Sequence, residues 1–380
     1  MKKKVSCIID FGQSHLKFIL ITGKFTVART LVCKNNFKIY KNNSFFYDTL
    51  KIEKIIKFKI NYLYKNFKII SIAVISHGSG CFFKNKKNKI LSGFHFSSKF
   101  KNTKLISEYN KLLPNFNETF TPKYKDFHNL SKNLFMISKK NKNLELMTIP
   151  SYITWLFSEK NIIDPSYLSC HTFLWNFKIK KISNFLKNTS IKIPKIKKSG
   201  SHIIKTNNNL KVYNGMHDTS AAFYFHKNFF DEQNTIYLST GTTFIFGKYL
   251  KKIHNIDEKS KFYYLSAADF KGVILSRRFQ GGLIYNKFKK KNKKFIDNYL
   301  ALRTIKELDT FKKFIPNHNM KLVIDGHFAK NKDFVLKIKK YKKEIVIYCA
   351  KNKNIPSLGM AYLSAEKKIN LLLKDYYDVI

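Results

Sequence analysis

The feature that most constrains this chain is a β-turn-β unit that occurs twice, once early in each half. Val5-Ser6-Cys7-Ile8-Ile9 ends at Asp10, turns through Phe11-Gly12-Gln13-Ser14, and returns as His15 to Ile21. Thr235-Ile236-Tyr237-Leu238-Ser239 turns through Thr240-Gly241-Thr242-Thr243 and returns as Phe244-Ile245-Phe246-Gly247. Two β-rich runs about one polar, Gly-containing turn read as a hairpin. Its recurrence predicts two similar domains, residues 1–223 and 224–380, facing a cleft, with the change-over near 222–234.

Strands that alternate with helical stretches place the chain in the α/β class. Residues 48–69 read as a helix. Ile69 to Ile75 reads as a buried strand stopped by Ser76-His77-Gly78-Ser79-Gly80, because an unbroken apolar run needs cover on both faces. Residues 82–100 carry Lys and Asn without period and read as a loop. Residues 124–147 read as irregular helix, and Tyr152 to Ser158 as helix. Lys211-Val212-Tyr213 is a strand, Asn214-Gly215 a turn, and Met216 to Ala222 a helix of small residues. Late in the chain, Lys321 to Asp325 and Glu344 to Tyr348 read as strands. They precede helices at 330–342 and 357–372, the second holding Gly359, Ala361, Ser364 and Ala365 for close packing.

The chain has 380 residues, 44% of them hydrophobic, which supports a large core. Its formal charge of +48 first suggests nucleic acid or an anionic surface. Arg, however, stands only at Arg29, Arg277, Arg278 and Arg303, and no nucleic-acid motif accompanies the lysines. The enriched residues Lys, Asn, Ile, Phe and Tyr all have A/T-rich codons, so the charge reads as base bias on a solvated surface. The lysine run at 287–294 has the same reading. Five cysteines form no CxxC pair, which fits a reducing cytoplasm rather than a disulfide framework or a zinc site. The basic start followed by Asp10 and Gly12 does not read as an export signal, and no run of about 18 apolar residues predicts a membrane span.

Neither GxxxxGK[ST] nor GxGxxG is present. Four segments carry chemistry instead. Asp10 beside Gly12, Gln13, Ser14 and Lys17 can hold hydrated Mg²⁺ and cradle phosphate, since a carboxylate and bare backbone N–H groups suit those partners; an ordinary hairpin turn is the plain alternative. Thr240, Gly241 and Thr242 offer hydroxyl and N–H donors at the second tip, or are simply a Thr-rich turn. Asp218, at the start of a helix with His217 beside it, is either a cap or a general base. Asp325-Gly326 with Asn331 forms a strand-to-helix turn that can admit a nucleoside. His77 with Gly78, and His171 with Trp175, are weaker pointers, because a lone His or Trp is more often structural.

In this order and spacing the segments resemble the FGGY family of carbohydrate kinases. The likeness runs from residue 5 to about 365. Ser169 to Trp175 and Arg278 to Gly282 look like its rhamnulose- and fuculose-kinase-type members. The resemblance implies two actin-like, ribonuclease-H-like ATPase domains around a central cleft, with ATP, Mg²⁺ and a sugar as ligands. It implies that Asp10 positions the metal, that Gly12, Gln13, Ser14 and Lys17 contact phosphates, and that Asp218 deprotonates the sugar hydroxyl. Thr240, Gly241 and Thr242 would bind the β- and γ-phosphates. Gly326 and Asn331 would lie near the adenosine, and His77, Gly78, His217 and Trp175 would line the sugar pocket. A homodimer is compatible with this reading; a specific nucleic-acid or membrane partner is not implied. Leu91 to Phe96 lacks the carboxylate that many members place there, which keeps open a second reading: a silent descendant that binds sugar or nucleotide without transferring phosphate.

Overall fold

The computed structural model describes every residue except 100, 101, 124–127, 207, 208, 291, 316–318 and 368. The chain divides into two compact units, Met1–Ser220 with Met360–Glu366, and Ala221–Gly359 with Lys367–Ile380. The division is therefore not a single cut: a short late segment belongs with the first unit.

The first unit is built on a seven-stranded sheet. Its strands are β1 (Lys3–Phe11), β2 (His15–Ile21), β3 (Val27–Lys34), β4 (Phe67–Ser76), β5 (His202–Lys205), β6 (Lys211–Tyr213) and β7 (Met216–His217). The order is β5-β6-β4-β1-β2-β3, with β7 also pairing β4. β1 runs antiparallel to β2 and parallel to β4, with Asp10 opposite Lys17 on one side and Ile75 on the other. Helix α1 (Thr49–Asn66) connects β3 to β4. Asp48 caps it by accepting from the Lys51 N–H at 3.0 Å, and Ile52, Ile56, Ile60 and Leu63 form its buried stripe. Helix α2 (Ile149–Ser158) starts with the Thr148 hydroxyl on the Ser151 N–H and Pro150 in its first turn. It is buried along most of its length, as the apolar run predicts.

In the second unit, helix α3 (Asp218–Lys227), which begins in the first, leads to β8 (Thr235–Thr240), β9 (Phe244–Leu250), β10 (Tyr263–Ser266) and β11 (Val273–Phe279). Helix α4 (Lys293–Phe311), β12 (Lys321–Gly326), helix α5 (Lys332–Tyr341), β13 (Val346–Ala350), helix α6 (Ile355–Leu363), whose end from Met360 belongs to the first unit, and β14 (Tyr377–Val379) complete it. The sheet order is β10-β11-β9-β8-β12-β13-β14. Read from β3, the first sheet pairs antiparallel, antiparallel, parallel, parallel, antiparallel; read from β11, the second does the same. The hairpin repeat thus marks a repeat of the whole sheet. One detail differs: the outer antiparallel strand precedes its neighbour in the first unit (β5 before β6) and follows it in the second (β14 after β13).

Some expectations need correction. Residues 82–100 are not one loop, because Cys81–Lys84 pairs with both Ile90–Ser92 and Glu145–Thr148. Cys81, Phe82 and Phe83 are fully buried, while the polarity of the region belongs to a tight turn in which the Asn85 side chain accepts from the Lys87 and Lys89 N–H groups. Of the irregular helix expected at 124–147, residues 124–127 lie outside the described residues. Within the rest, Leu130–Ser138 is helical and Glu145–Thr148 is a strand. The helix read at 357–372 runs Ile355–Leu363, and a separate short helix, Leu373–Tyr376, follows it. The lysine run at 287–294 falls where one helix ends at Phe288 and α4 begins, and residue 291 lies outside the described residues. Among the described residues no helix is long and apolar enough to cross a membrane, and all five cysteines are free.

Candidate functional site

Three parallel strands of the first unit end together. Phe11 of β1 pairs Ser76 of β4, and Ser76 pairs His217 of β7. The residues at and just past these carboxyl ends are Asp10, His77 and Asp218. Ligands of open α/β sheets bind outside strand carboxyl ends, where side chains from neighbouring strands converge on one side. The His77 N–H donates to the Phe11 carbonyl at 3.2 Å, so the β4 end is tied to the β1 end by backbone.

Asp10 is 8% exposed and accepts from Lys17 Nζ through Oδ2 at 2.8 Å; Lys17 comes from the partnered position on β2. Burial works against the Lys17 charge, but the charge and hydrogen bond of Asp10, with help from Asp218, raise its pKa. Among the described residues Asp10 Oδ1 has no hydrogen-bond partner, which leaves half of the carboxylate available. At the hairpin tip the Gly12 N–H is already spent on the His15 carbonyl at 2.9 Å, and its own carbonyl accepts from Asn35 Nδ2 at 2.6 Å. The donors left at the tip are the Gln13 and Ser14 N–H groups, on exposed residues. A Cβ on Gly12 would stand 3.1 Å from the His15 oxygen, which explains the glycine within the turn itself.

Asp218 opens α3. Its Oδ1 accepts from the Thr219 N–H at 2.6 Å and the Thr219 hydroxyl at 3.2 Å, a local contact to the next residue at the first turn of the helix. It also stays 29% exposed, and its pKa is pushed up to about 6, first by burial and then by the Asp10 charge. Two carboxylates that sense each other at one strand edge are a place where a cation is welcome and a proton is easily exchanged.

Around Asp218 lies an imidazole and thiol cluster. His217 Nε2 is 3.4 Å from Asp218 Oδ1 and 3.2 Å from Cys170 Sγ. Burial drives the His217 pKa down to about 3, so the ring is neutral. The nearby carboxylate favours the proton on Nε2. His77 is held neutral by burial too, with Nδ1 against the Gly78 carbonyl at 2.6 Å. A Cβ on Gly78 would fall 2.8 Å from Cys170 Sγ, so this glycine is required by the thiol. Cys170 carried no sequence signal of its own; in the structure its neighbours His171 and Phe173 both hold left-handed φ (56° and 59°) in a buried turn. Such strain in non-glycine residues gathers at working sites. Beneath the cluster, buried Asp164 accepts from the Ser166 N–H at 2.9 Å, from the Ser166 hydroxyl, and from the Ser199 hydroxyl at 3.0 Å. Ser166 Oγ in turn accepts from the His217 N–H at 3.1 Å, which fixes the β7 end.

The 91–96 segment does approach this cluster, through rings rather than a carboxylate. Phe96 meets His77 edge-on at 5.8 Å and His95 at 4.2 Å, and Phe96 is only half-buried. Trp175 is not brought in. It is 6% exposed in the two-stranded piece Trp175–Asn176 with Lys181–Ile182, and it makes no hydrogen bond or ring contact to the cluster. A large indole in that position serves the core.

In the second unit the equivalent tip differs in how it is used. Thr240 pairs Gly326 across β8 and β12. The Thr240 hydroxyl donates to the Asp325 carbonyl and accepts from the Phe328 N–H at 3.0 Å. It is therefore a brace for the neighbouring turn, because Gly326, at φ +80°, bends the chain and leaves those two backbone groups in need of partners. The donors that face outward belong to Gly241 and Thr242. Around Gly241 a Cβ would meet nothing nearer than 3.9 Å, so nothing within the unit demands a glycine there. Asn331 caps α5 by accepting from the Phe334 N–H at 3.1 Å and donates to Asp297 Oδ1 at 2.8 Å. Among the described residues no cluster of three or more His, Cys, Asp or Glu side chains suits a metal ion. A hydrated Mg²⁺ needs fewer protein ligands, since it keeps several waters. Asp10, with one free carboxylate oxygen, fits that demand.

No protein-family model matches the chain, and no curated protein matches it in sequence. Solved structures do match its fold. A carbohydrate kinase from Novosphingobium aromaticivorans superposes with a TM-score of 0.83 at 15% identity, over 100% of this chain and 94% of that one. A xylulose kinase from Lactobacillus acidophilus gives 0.78 at 14%, over 95% and 89%. The Plasmodium falciparum glycerol kinase with ADP gives 0.75 at 14%, also over 95% and 89%. At such identities the likeness establishes the fold: two actin-like α/β units of the sugar-kinase type.

Proposed function

We propose that the protein is an ATP-dependent kinase of a small polyhydroxylated acceptor, a ketose or polyol. The observation that carries the reading is the meeting of Asp10, His77, His217 and Asp218 at the ends of three adjoining parallel strands, with the two carboxylates electrostatically coupled and the Asp218 pKa raised to about 6. The fold likeness supports it, because each of the three neighbours named above is a kinase.

In this reading Asp218 removes the proton from the acceptor hydroxyl. A base with a pKa near 6 is ionised at neutral pH yet basic enough to share a proton with a developing phosphate ester. Neutral His77 and His217 supply hydrogen bonds without an added positive charge, and half-buried Phe96 offers an apolar face to a sugar ring. Phosphoryl transfer asks little covalent chemistry of the protein; alignment and charge neutralisation do most of it. Lys17 and the Gln13 and Ser14 N–H groups would contact phosphate oxygens, and Asp10 would hold Mg²⁺ through its waters, the cation neutralising phosphate charge. On the second unit, the Gly241 and Thr242 N–H groups would take the β- and γ-phosphates, and the Gly326 to Asn331 turn the adenosine. The open space at Gly241 supports that assignment, since a side chain there would obstruct a phosphate rather than the protein. Within ketoses, the Ser169–Trp175 and Arg278–Gly282 stretches favour acceptors of the rhamnulose or fuculose type.

The test is an ADP-release assay with MgATP and a panel of ketoses and polyols. Acceptor-dependent ADP release on at least one is expected. ADP binding with no turnover on any acceptor would refute the kinase reading and favour the silent, ligand-binding one.

A further inference from the structure

The second unit buries a polar chain that the proposed mechanism leaves unused. Tyr377 on β14, His226 on α3 and Asp325 at the end of β12 come from three distant parts of the sequence. Tyr377 Oη lies 2.7 Å from His226 Nδ1, and His226 Nε2 lies 2.8 Å from Asp325 Oδ2. His226 and Asp325 are 0% and 2% exposed, and Tyr377 is 2% exposed. The imidazole is stacked on Tyr237 of β8 at 5.5 Å with 8° between planes, so it cannot turn freely. Burial keeps the Tyr377 phenol protonated. One proton assignment satisfies every contact with a neutral ring: the phenol donates to Nδ1, and Nε2–H donates to the carboxylate.

The far end of this chain meets the phosphate tip. The Asp325 carboxylate faces His226, while its carbonyl accepts the Thr240 hydroxyl, and the next residue, Gly326, is the one at φ +80°. Buried ionisable groups are expensive unless fully paired. Here the pairing fixes the turn from Asp325 to Phe328 and, through Thr240, the root of the Gly241-Thr242 tip.

We propose that Tyr377, His226 and Asp325 form a positioning strut for the nucleotide-phosphate turn of the second unit, with His226 as its key. This rests on the nucleotide reading of that unit given above. The strut touches no reacting atom; it sets the geometry of Thr240 and Gly326, so its loss weakens nucleotide binding and leaves acceptor binding alone.

The test uses the full chain, with ADP as the calorimetric probe and separate KM values for ATP and acceptor. His226→Leu removes both bonds and strands the Asp325 carboxylate; a roughly tenfold or larger rise in ADP Kd and in ATP KM is expected, with acceptor KM unchanged. His226→Gln keeps a donor toward Asp325 and recovers most of the affinity. If His226→Leu does not fold, Tyr377→Phe removes a single hydroxyl, keeps the ring against Phe229 and Phe230, and shifts ADP Kd in the same direction by a few-fold. Its effect combines less than additively with that of Thr240→Val, because both act on one turn. Folded variants with wild-type ADP affinity, or variants in which ATP and acceptor KM change together and Gln does no better than Leu, overturn the strut. Wild-type protein that fails to bind ADP overturns the nucleotide reading and the strut with it.

Discussion

Replacing Asp218 by Asn should stabilise the protein while disabling it. The carboxylate sits in a site that raises its pKa from 3.8 to about 6, by burial first and by Asp10 second. That rise corresponds to about 3 kcal/mol of unfavourable free energy for the ionised form. The side chain keeps 29% exposure, and solvent screening reduces the expected gain to about 1–2 kcal/mol. The sign follows from proton counting. Between pH 3.8 and 6 the unfolded chain has released the proton and the folded one still holds it, so wild-type stability falls as pH rises through that window. Above about pH 6 both states are ionised and the penalty is constant. Asn carries no such penalty, and its amide oxygen can still accept from the Thr219 N–H. Paired thermal melts of wild type and Asp218→Asn should therefore coincide near pH 4 and separate by roughly 1–4 °C at pH 7.5, with the variant higher. Equal melting at all pH values, or a variant less stable at pH 7.5, would refute the claim that this carboxylate is held ionised against its surroundings.

Two further outcomes follow from the glycines. Gly326→Ala should cost at least about 2 kcal/mol, because φ is +80° and the new Cβ would lie 2.5 Å from the Thr240 carbonyl; denaturant unfolding checks it, and a cost under about 0.5 kcal/mol would contradict the geometry. Gly78→Ala should raise acceptor KM and leave ATP KM unchanged, since its Cβ would push Cys170 Sγ at 2.8 Å; adding Cys170→Ala should restore much of the loss, and no restoration would place the clash elsewhere.

The elements that carry the candidate site were legible in local pattern: Asp10 stands where an apolar run stops at a polar turn, and Asp218 where a helix begins. The twofold hairpin was likewise visible, and with it the repeated sheet. What escaped reading depended on contacts distant in sequence. Cys170 meets His217 across 47 positions, and His226 meets Asp325 across 99 and Tyr377 across 151. The strand Cys81–Lys84 was masked by lysines that belong to its turn. Thr240 was legible as a polar tip residue, but the direction of its hydroxyl depends on the register that sets it opposite Gly326. Trp175 shows the converse: an aromatic residue beside a polar motif was simply core.

The most direct measurement is calorimetry of ADP binding alongside turnover for wild type and Asp218→Asn, with MgATP and the best acceptor at saturation. The account predicts ADP affinity within about twofold of wild type and a loss of turnover of about a hundredfold or more. Full turnover by a folded, ADP-binding Asp218→Asn protein would contradict it.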